Sequence, residues 1–372
     1  MKYFLLIFSI FLCCQAKAQF KIDIDVHARV NINDSTVNKV VQLYKNYLQN
    51  RPDSVQSQNP FWCSADKKKF SDFDFTRSFL YDAIPMKNFV VLYRFVILSI
   101  EKENEGYAIR TAFIAKDISQ PYMAKQNPWA ITRIYAIKEN GEWKLKNAFE
   151  FKVKDWKSVT DGNIIYHHPN KIVLDKQELK KSKTFCDSIA KLLQIKSWSA
   201  FDYYIAQTPD EMCELLGFDF AMTAYTTGMA FQKDILLNGT GSAYYPHEFV
   251  HHVAEEKNIK NKFINEGLAT WLGGSRLKSF KENVESLSDF VSKNDTITLD
   301  NVLEEGAGWT VGGYYTSGAI FCKLVYEKKG LKGLEELFLL PANDNTVLKK
   351  KLMQLLEVTN LEILWRNALQ NK

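Results

Sequence analysis

Tyr245-Pro246-His247-Glu248-Phe249-Val250-His251-His252 is the stretch around which the rest of the 372-residue chain is organised. It holds two histidines four residues apart, with a glutamate directly after the first. On an α-helix, residues with this spacing differ by about 40° in azimuth and about 6 Å in height. The imidazoles of His247 and His251 can therefore converge on one metal ion.

Glu248 has a different place on the same helix, about 100° round from His247. From there it cannot easily be a third ligand on the same side. A catalytic zinc ion has three protein ligands and one open position, and Glu248 can reach a water in that position and act as general base. This combination of residue types is typical of zinc hydrolases, so the sequence predicts Zn²⁺ as cofactor and Glu248 as a catalytic residue.

The third ligand must come from outside this helix, and Glu266 is the candidate. It lies in Asn265-Glu266-Gly267-Leu268-Ala269, after fourteen residues that follow His251. A first helix to about Lys257 carries the chain about 9 Å past His251, and a second helix after a turn at 258–261 brings it back about 7.5 Å. The two lengths nearly cancel, so we expect the Glu266 carboxylate beside His251.

The two motifs together resemble the gluzincin zinc peptidases, and within them the peptidase MA-like group, whose spacer is short. The resemblance implies a twisted mixed sheet packed on active-site helices and a peptide or protein substrate. It also implies an oxyanion-binding tyrosine three residues before a glycine, at the start of a later helix. Tyr315, followed by Gly318, matches that position, and Tyr314 is its neighbour. Packing of both rings against the helix terminus is the alternative interpretation.

Two further positions bear on the resemblance. Thr270 follows Glu266 by four residues and is expected on the same helix face, where it could hydrogen-bond a ligand. Ala230 stands in Thr227-Gly228-Met229-Ala230-Phe231, where the gluzincin aminopeptidases have a glutamate that binds the free amine of the substrate. We therefore expect internal cleavage of peptides, with an extended substrate pairing along an edge strand near 222–231.

The N-terminal residues predict export. Met1–Ala18 has Lys2, an apolar run from Tyr3 to Leu12 and Ala16-Lys17-Ala18, which are the three parts of a cleavable signal peptide. The mature protein is expected in the periplasm or outside the cell, with no transmembrane segment. Anchoring as a lipoprotein through Cys13 or Cys14 is the weaker alternative, since neither follows a small residue.

Charge and cysteine content exclude several classes of function. The formal charge of +5 falls to +3 when Lys2 and Lys17 are removed with the signal peptide, too little to indicate nucleic-acid binding. The four cysteines left are scattered, so they indicate neither a disulfide framework nor a second metal site. They are Cys63, Cys186, Cys213 and Cys322.

The remaining pattern predicts an α+β protein of two domains. In residues 19–154, a helix capped by Asp34 precedes four strand-like segments, 89–100, 107–115, 130–137 and 143–151, in the element order of NTF2-like and cystatin-like domains. Asn140-Gly141 predicts a tight hairpin. No titratable cluster stands out in this accessory domain. His167 and His168 are expected in a loop of the linker 155–170. Residues 171–372 are expected to form the peptidase-like domain. Within it, 275–310 is expected to be a polar flap or wall of the cleft.

Together these features predict an exported zinc-dependent hydrolase, an endopeptidase in which His247, His251 and Glu266 bind zinc. Two alternatives stay open at this point. A surface binding protein could keep the scaffold without the activity, although the intact Glu248 argues against it. A hydrolase of a non-peptide amide bond would use the same catalytic residues.

Overall fold

The computed structural model describes residues 22–50, 59–103, 105–119, 121–222, 227–304, 307–342 and 344–370. The chain divides into two compact units, one up to Asn147 and one from Ala148. Both combine helices with sheets, so the predicted α+β class is confirmed. The expected signal peptide, Met1–Ala18, lies outside the described residues.

The first unit contains a largely antiparallel sheet with its strands in chain order. The first strand pairs in parallel with the second, and the others form an antiparallel meander. Asn140 and Gly141 both have positive φ and form the predicted hairpin. The strands are β1 (Ile24–Val26), β2 (Tyr93–Glu103), β3 (Gly106–Ala115), β4 (Ala130–Glu139) and β5 (Glu142–Asn147).

The predicted first helix is present as α1 (Ser35–Gln49), with Asp34 accepting hydrogen bonds from the Thr36 and Val37 backbone N–H groups. Its apolar face is buried. The predicted strand 89–100 is wrong at its start, because Phe89 to Leu92 is helical and the strand begins only at Tyr93. Three short helices precede that strand and a fourth follows β3: α2 (Ser64–Lys69), α3 (Phe75–Ala83), α4 (Met86–Leu92) and α5 (Pro121–Lys125).

A buried charged cluster in this unit corrects the expectation that it contains none. The Tyr47 hydroxyl donates to Asp74, 2.7 Å from Oδ1, and the Arg77 guanidinium donates to the Tyr47 carbonyl oxygen at 3.1 Å. Arg77 Nε lies 3.4 Å from Asp74 Oδ2, and both side chains are almost fully buried. Because every charge has a partner, the cluster is a structural contact between α1 and α3.

The expected linker 155–170 is instead part of the second unit's sheet. After α6 (Phe149–Val153), the strands β6 (Lys157–Asp161) and β7 (Ile164–His168) pair as a hairpin. His167 and His168 therefore lie in a strand and not in a loop. The His167 ring is hydrogen-bonded on both sides, 2.8 Å from Ser158 Oγ and 2.6 Å from Asp202 Oδ1.

The sheet of the second unit is mixed and has the strand order β10-β11-β8-β7-β6. Its three central strands are parallel, and the outer strand on each side is antiparallel to its neighbour. The segments between β7 and the helix that contains His247 are α7 (Lys176–Leu192), β8 (Phe201–Ile205), α8 (Pro209–Leu215), β9 (Phe218–Ala221), β10 (Gly228–Gln232) and β11 (Ile235–Asn238).

The rest of this unit is helical. Residues 275–310, expected as a polar flap or wall of the cleft, include two regular helices. One long helix is kinked at Gly330, whose φ is 64°. The helices are α9 (Pro246–Val253), α10 (Lys262–Gly273), α11 (Phe280–Lys293), α12 (Leu299–Leu303), α13 (Gly313–Phe338), α14 (Asn345–Leu356) and α15 (Leu361–Gln370).

Two further observations concern the described part of the chain. Cys63, Cys186, Cys213 and Cys322 are buried and free. No helix there combines the length and the apolar character that crossing a bilayer requires.

Candidate metal centre

Helix α9 positions both histidines of the motif. Pro246 occupies its first turn, where a missing backbone N–H has no cost. Phe249 is fully buried and packs against Tyr203 of β8, with ring centroids 5.2 Å apart. That contact fixes the helix on the sheet and leaves His247 and His251 on another side of it.

Helix α10 brings Glu266 back to the same place. A short 3-10 turn, Ala254–Lys257, continues α9, and Asn258 reverses the chain with φ 50°. Asn261 then caps α10, accepting from the Ile264 backbone N–H. The Glu266 carboxylate consequently lies beside both histidines, at the position expected from the helix lengths.

Three atoms form a nearly equilateral triangle. His247 Nε2 and His251 Nε2 are 3.3 Å apart, and Glu266 Oε2 lies 3.2 Å from the first and 3.4 Å from the second. Protein ligands lie about 2.0–2.1 Å from Zn²⁺, so two corners of a zinc tetrahedron are about 3.3–3.4 Å apart. The donor atoms therefore have the separations of three tetrahedral ligands, and the residues fit a zinc ion.

The other ring nitrogen of each histidine is held by a hydrogen-bond acceptor. His247 Nδ1 lies 2.6 Å from the Gly274 carbonyl oxygen, and His251 Nδ1 lies 3.3 Å from Asn265 Oδ1. Because a carbonyl oxygen only accepts, His247 must carry a proton on Nδ1, and the same tautomer suits His251. Nε2 of each ring is then the atom left to bind a metal ion, as in zinc sites whose ligands are oriented by a second set of contacts.

Electrostatics at His251 and Glu266 favour a charged pair. Burial by itself lowers the pKa of His251, but the charge of Glu266 and its hydrogen bond outweigh burial and raise that pKa to about 9. Burial likewise favours the neutral form of Glu266, but the neighbouring histidines hold the pKa of its carboxyl well below the usual range. Glu266 is therefore an anion at neutral pH, and a metal ion that binds here displaces a proton from His251.

Glu248 is not one of the three residues of the triangle, but it lies near enough for its charge to act on His251. Its side chain is buried, and within the described residues it forms no hydrogen bond or ion pair. Burial, followed by the nearby charge of Glu248, raises the pKa of Tyr245. A buried carboxylate without a fixed partner next to the triangle is chemically suited to accept a proton.

The two tyrosines at the start of α13 have different surroundings. Tyr314 is buried, and its ring packs edge-on against Phe263 at 5.2 Å. The Tyr315 ring lies 6.2 Å from the His247 ring and is partly exposed. Tyr314 is thus a packing residue, whereas the Tyr315 ring lies beside His247, one of the three residues of the triangle.

Thr270 does not play the part expected from its position. It is fully buried, and its hydroxyl has no hydrogen-bond partner among the described residues. The contacts that orient the histidines come from Asn265 and the Gly274 carbonyl instead. The role of Asn265 could have been predicted from the sequence, since Asn265 directly precedes Glu266. The role of Gly274 could not, because any residue type has a backbone carbonyl.

The residue before α9 joins the helix to β10. The Tyr245 and Thr227 hydroxyls are 2.6 Å apart. A Cβ atom on Gly228 would lie 2.6 Å from the Tyr245 ring, so only glycine permits this approach. The outer strand of the sheet is therefore held at a fixed distance from α9.

A second group of possible ligands has a simpler explanation. Asp234, His252 and Glu255 are close enough to share a metal ion. Both ring nitrogens of His252, however, lie against carbonyl oxygens, those of Lys233 at 3.2 Å and Ser199 at 3.0 Å. Each ring nitrogen of His252 thus already lies against a backbone carbonyl oxygen, and the residue ties α9 to the neighbouring loops.

Comparison with protein families and with curated proteins found no match. No protein-family profile matches the chain, and no curated protein matches it significantly. The likeness to gluzincins accordingly depends on the two motifs and on the geometry of the metal centre.

Proposed function

We propose that this chain is an exported zinc-dependent hydrolase of the gluzincin type, an endopeptidase acting on peptide or protein substrates. The observation that carries the proposal is the triangle of His247 Nε2, His251 Nε2 and Glu266 Oε2, whose sides of 3.2 to 3.4 Å match a zinc tetrahedron. Export is supported by the signal-like sequence of Met1–Ala18.

Each residue has a role that follows from its surroundings. His247, His251 and Glu266 would hold the zinc ion, which when bound polarises a carbonyl group and lowers the pKa of water. Glu248 accepts the proton of the attacking water and then delivers it to the leaving amine. The Tyr315 hydroxyl donates to the oxyanion that develops on the scissile carbonyl oxygen.

The type of cleavage is inferred from Ala230 on β10. Its side chain is a methyl group at the position where the gluzincin aminopeptidases have an amine-binding glutamate. An ammonium group that enters a cleft without a carboxylate partner loses hydration at a cost of several kcal/mol. A free N-terminus should therefore gain nothing here, and an extended chain along β10, next to α9, is the expected mode of binding.

The metal is tested on the purified mature protein. We expect one zinc ion per chain, removed by a chelator and restored by added zinc. At a free zinc concentration about 100 times Kd, binding stabilises the fold by about 2.7 kcal/mol, which corresponds to a rise in Tm of about 5–10 °C for a unit of this size.

His247→Ala should abolish the zinc and Glu266→Ala should weaken its binding, while Glu256→Ala, an exposed glutamate beyond α9, should behave as wild type. A wild-type protein without stoichiometric zinc, and indifferent to added zinc, would contradict the proposal.

The type of cleavage is tested with matched fluorogenic peptides that differ only in N-terminal acetylation. We expect the acetylated peptide to be cleaved at least as fast as the free one, with internal fragments as the first products in mass spectrometry. Ala230→Glu supplies the missing carboxylate and should shift the preference toward the free amine. Stepwise release of N-terminal residues by the wild type would show that the chain is an aminopeptidase.

A further inference from the structure

The turn that follows α10 is conformationally strained. Arg276 and Leu277 are consecutive non-glycine residues with φ of 56° and 60°. The turn is closed by two backbone hydrogen bonds between Ser275 and Lys278, at 3.0 and 2.9 Å. Side chains with a Cβ atom are disfavoured in this region of φ, so such pairs persist only where surrounding contacts hold them.

Those contacts connect the turn to the metal centre on one side and to Trp309 on the other. Directly before it, the Gly274 carbonyl oxygen accepts from His247. From within it, Arg276 Nη1 donates to the Trp309 carbonyl oxygen at 2.9 Å. A Cβ atom on Gly312 would lie 3.1 Å from Arg276 Cδ, so the arginine stem packs closely on the segment that carries Trp309.

Trp309 is thereby held at the rim of the site with its ring in solvent. Its side chain is 55% exposed, and Leu277 of the strained turn is 69% exposed. The Trp309 ring centroid lies 6.3 Å from that of Tyr315, which lies 6.2 Å from that of His247. The three rings form a continuous series from a metal ligand to solvent.

The length of this series matches a short stretch of peptide. The His247 and Trp309 ring centroids can be no farther apart than the His247–Tyr315 and Tyr315–Trp309 centroid distances added together. An extended peptide advances about 3.3 Å per residue. A substrate residue within about four positions of the cleaved bond therefore reaches Trp309. The indole has a large apolar face for an apolar or aromatic side chain.

We propose, on the basis of the proposed function, that Trp309 is a specificity-determining residue. Its indole forms a subsite that selects an aromatic side chain of the substrate within about four residues of the scissile bond. The Arg276 turn positions this subsite relative to the metal centre.

The test uses internally quenched peptides that carry phenylalanine or alanine at each position from four before to four after the cleaved bond. For the wild type we expect kcat/KM to be higher with phenylalanine at one position. In Trp309→Ala the ratio of phenylalanine to alanine peptides at that position should fall about tenfold, as expected for loss of an aromatic contact with its buried area. Trp309→Phe should retain most of the preference.

The matched control is Leu339→Ala, which removes an 85% exposed apolar side chain just beyond the other end of the helix that begins near Tyr315. It should leave the ratio unchanged. The unfolding temperature of each variant shows whether the substitution affected the fold.

Binding of the same labelled peptides to Glu248→Gln, followed by fluorescence anisotropy, separates this inference from the proposed hydrolase. The subsite is supported if Glu248→Gln binds the phenylalanine peptide more tightly than the alanine peptide and the double variant with Trp309→Ala loses that difference. This holds even if no peptide is cleaved. The inference is overturned if the wild type has no aromatic preference, if Trp309→Ala keeps that preference, or if binding does not distinguish the peptides. It is also overturned if the wild type sediments as a dimer and Trp309→Ala as a monomer, since Trp309 would then lie between two copies of the chain.

Discussion

Glu248→Gln is expected to remove most hydrolysis while the zinc content stays at one ion per chain. The substitution keeps the shape of the side chain and removes only its ability to accept a proton. General-base catalysis by a positioned carboxylate contributes about 10²–10⁴ in rate, so kcat/KM should fall by that factor. The metal should be retained because the three donor atoms of the triangle belong to other residues, His247, His251 and Glu266.

The measurement is kcat/KM on a quenched peptide together with metal analysis of the same sample. Glu256→Gln, an exposed glutamate in the 3-10 turn beyond α9, is the matched control and should have wild-type activity and zinc. Loss of zinc in Glu248→Gln would mean that this residue is itself a ligand. Undiminished turnover would mean that another group accepts the proton.

The sequence predicted the core of the site because that core depends on local geometry. The spacing of His247 and His251 fixes their relation on one helix. The reversal at Asn258 and the cap at Asn261 set the length of chain before Glu266. These features involve only neighbouring residues and regular helices, so helix dimensions alone place Glu266 beside the histidines.

Other parts depend on tertiary contacts that a sequence pattern does not report. The run Phe89–Leu92 is apolar and β-branched, as in a buried strand, yet Pro85 precedes a helix there. Thr270 lies on the expected face of α10 but is enclosed in the core. The Gly274 carbonyl and the strained Arg276 turn contribute through their backbone conformation. Residue types alone do not indicate that conformation.

The crossing of α10 and α13 places Glu266 and Tyr315 in one site. A Cβ atom on Gly267 would lie 2.4 Å from the Gly318 carbonyl carbon, and one on Gly318 would lie 2.3 Å from the Phe263 carbonyl oxygen. The two backbones are thus in contact, with no space for a methyl group. Glu266 is directly before Gly267, so any separation of the helices moves a metal ligand.

Gly267→Ala is therefore expected to destabilise the protein, although the same substitution inside an ordinary helix stabilises it by about 0.5–1 kcal/mol. Overpacking costs about 1–3 kcal/mol or more, and the helices must separate by about 1 Å to reach normal contact. We expect the free energy of unfolding in urea to fall by about 2–3 kcal/mol. A displacement of about 1 Å at a reacting group lowers activity by up to about 10²-fold.

Gly330→Ala is the comparison that isolates steric contact from backbone conformation. Gly330 lies in the same helix α13, but a Cβ atom there has no atom within 4 Å, and only its φ of 64° opposes a side chain. Its cost should be about 1–2 kcal/mol, with zinc binding and kcat/KM unchanged. If Gly267→Ala is as stable and as active as wild type, the close crossing of α10 and α13 does not position Glu266, and the ligand must be held by its own helix alone.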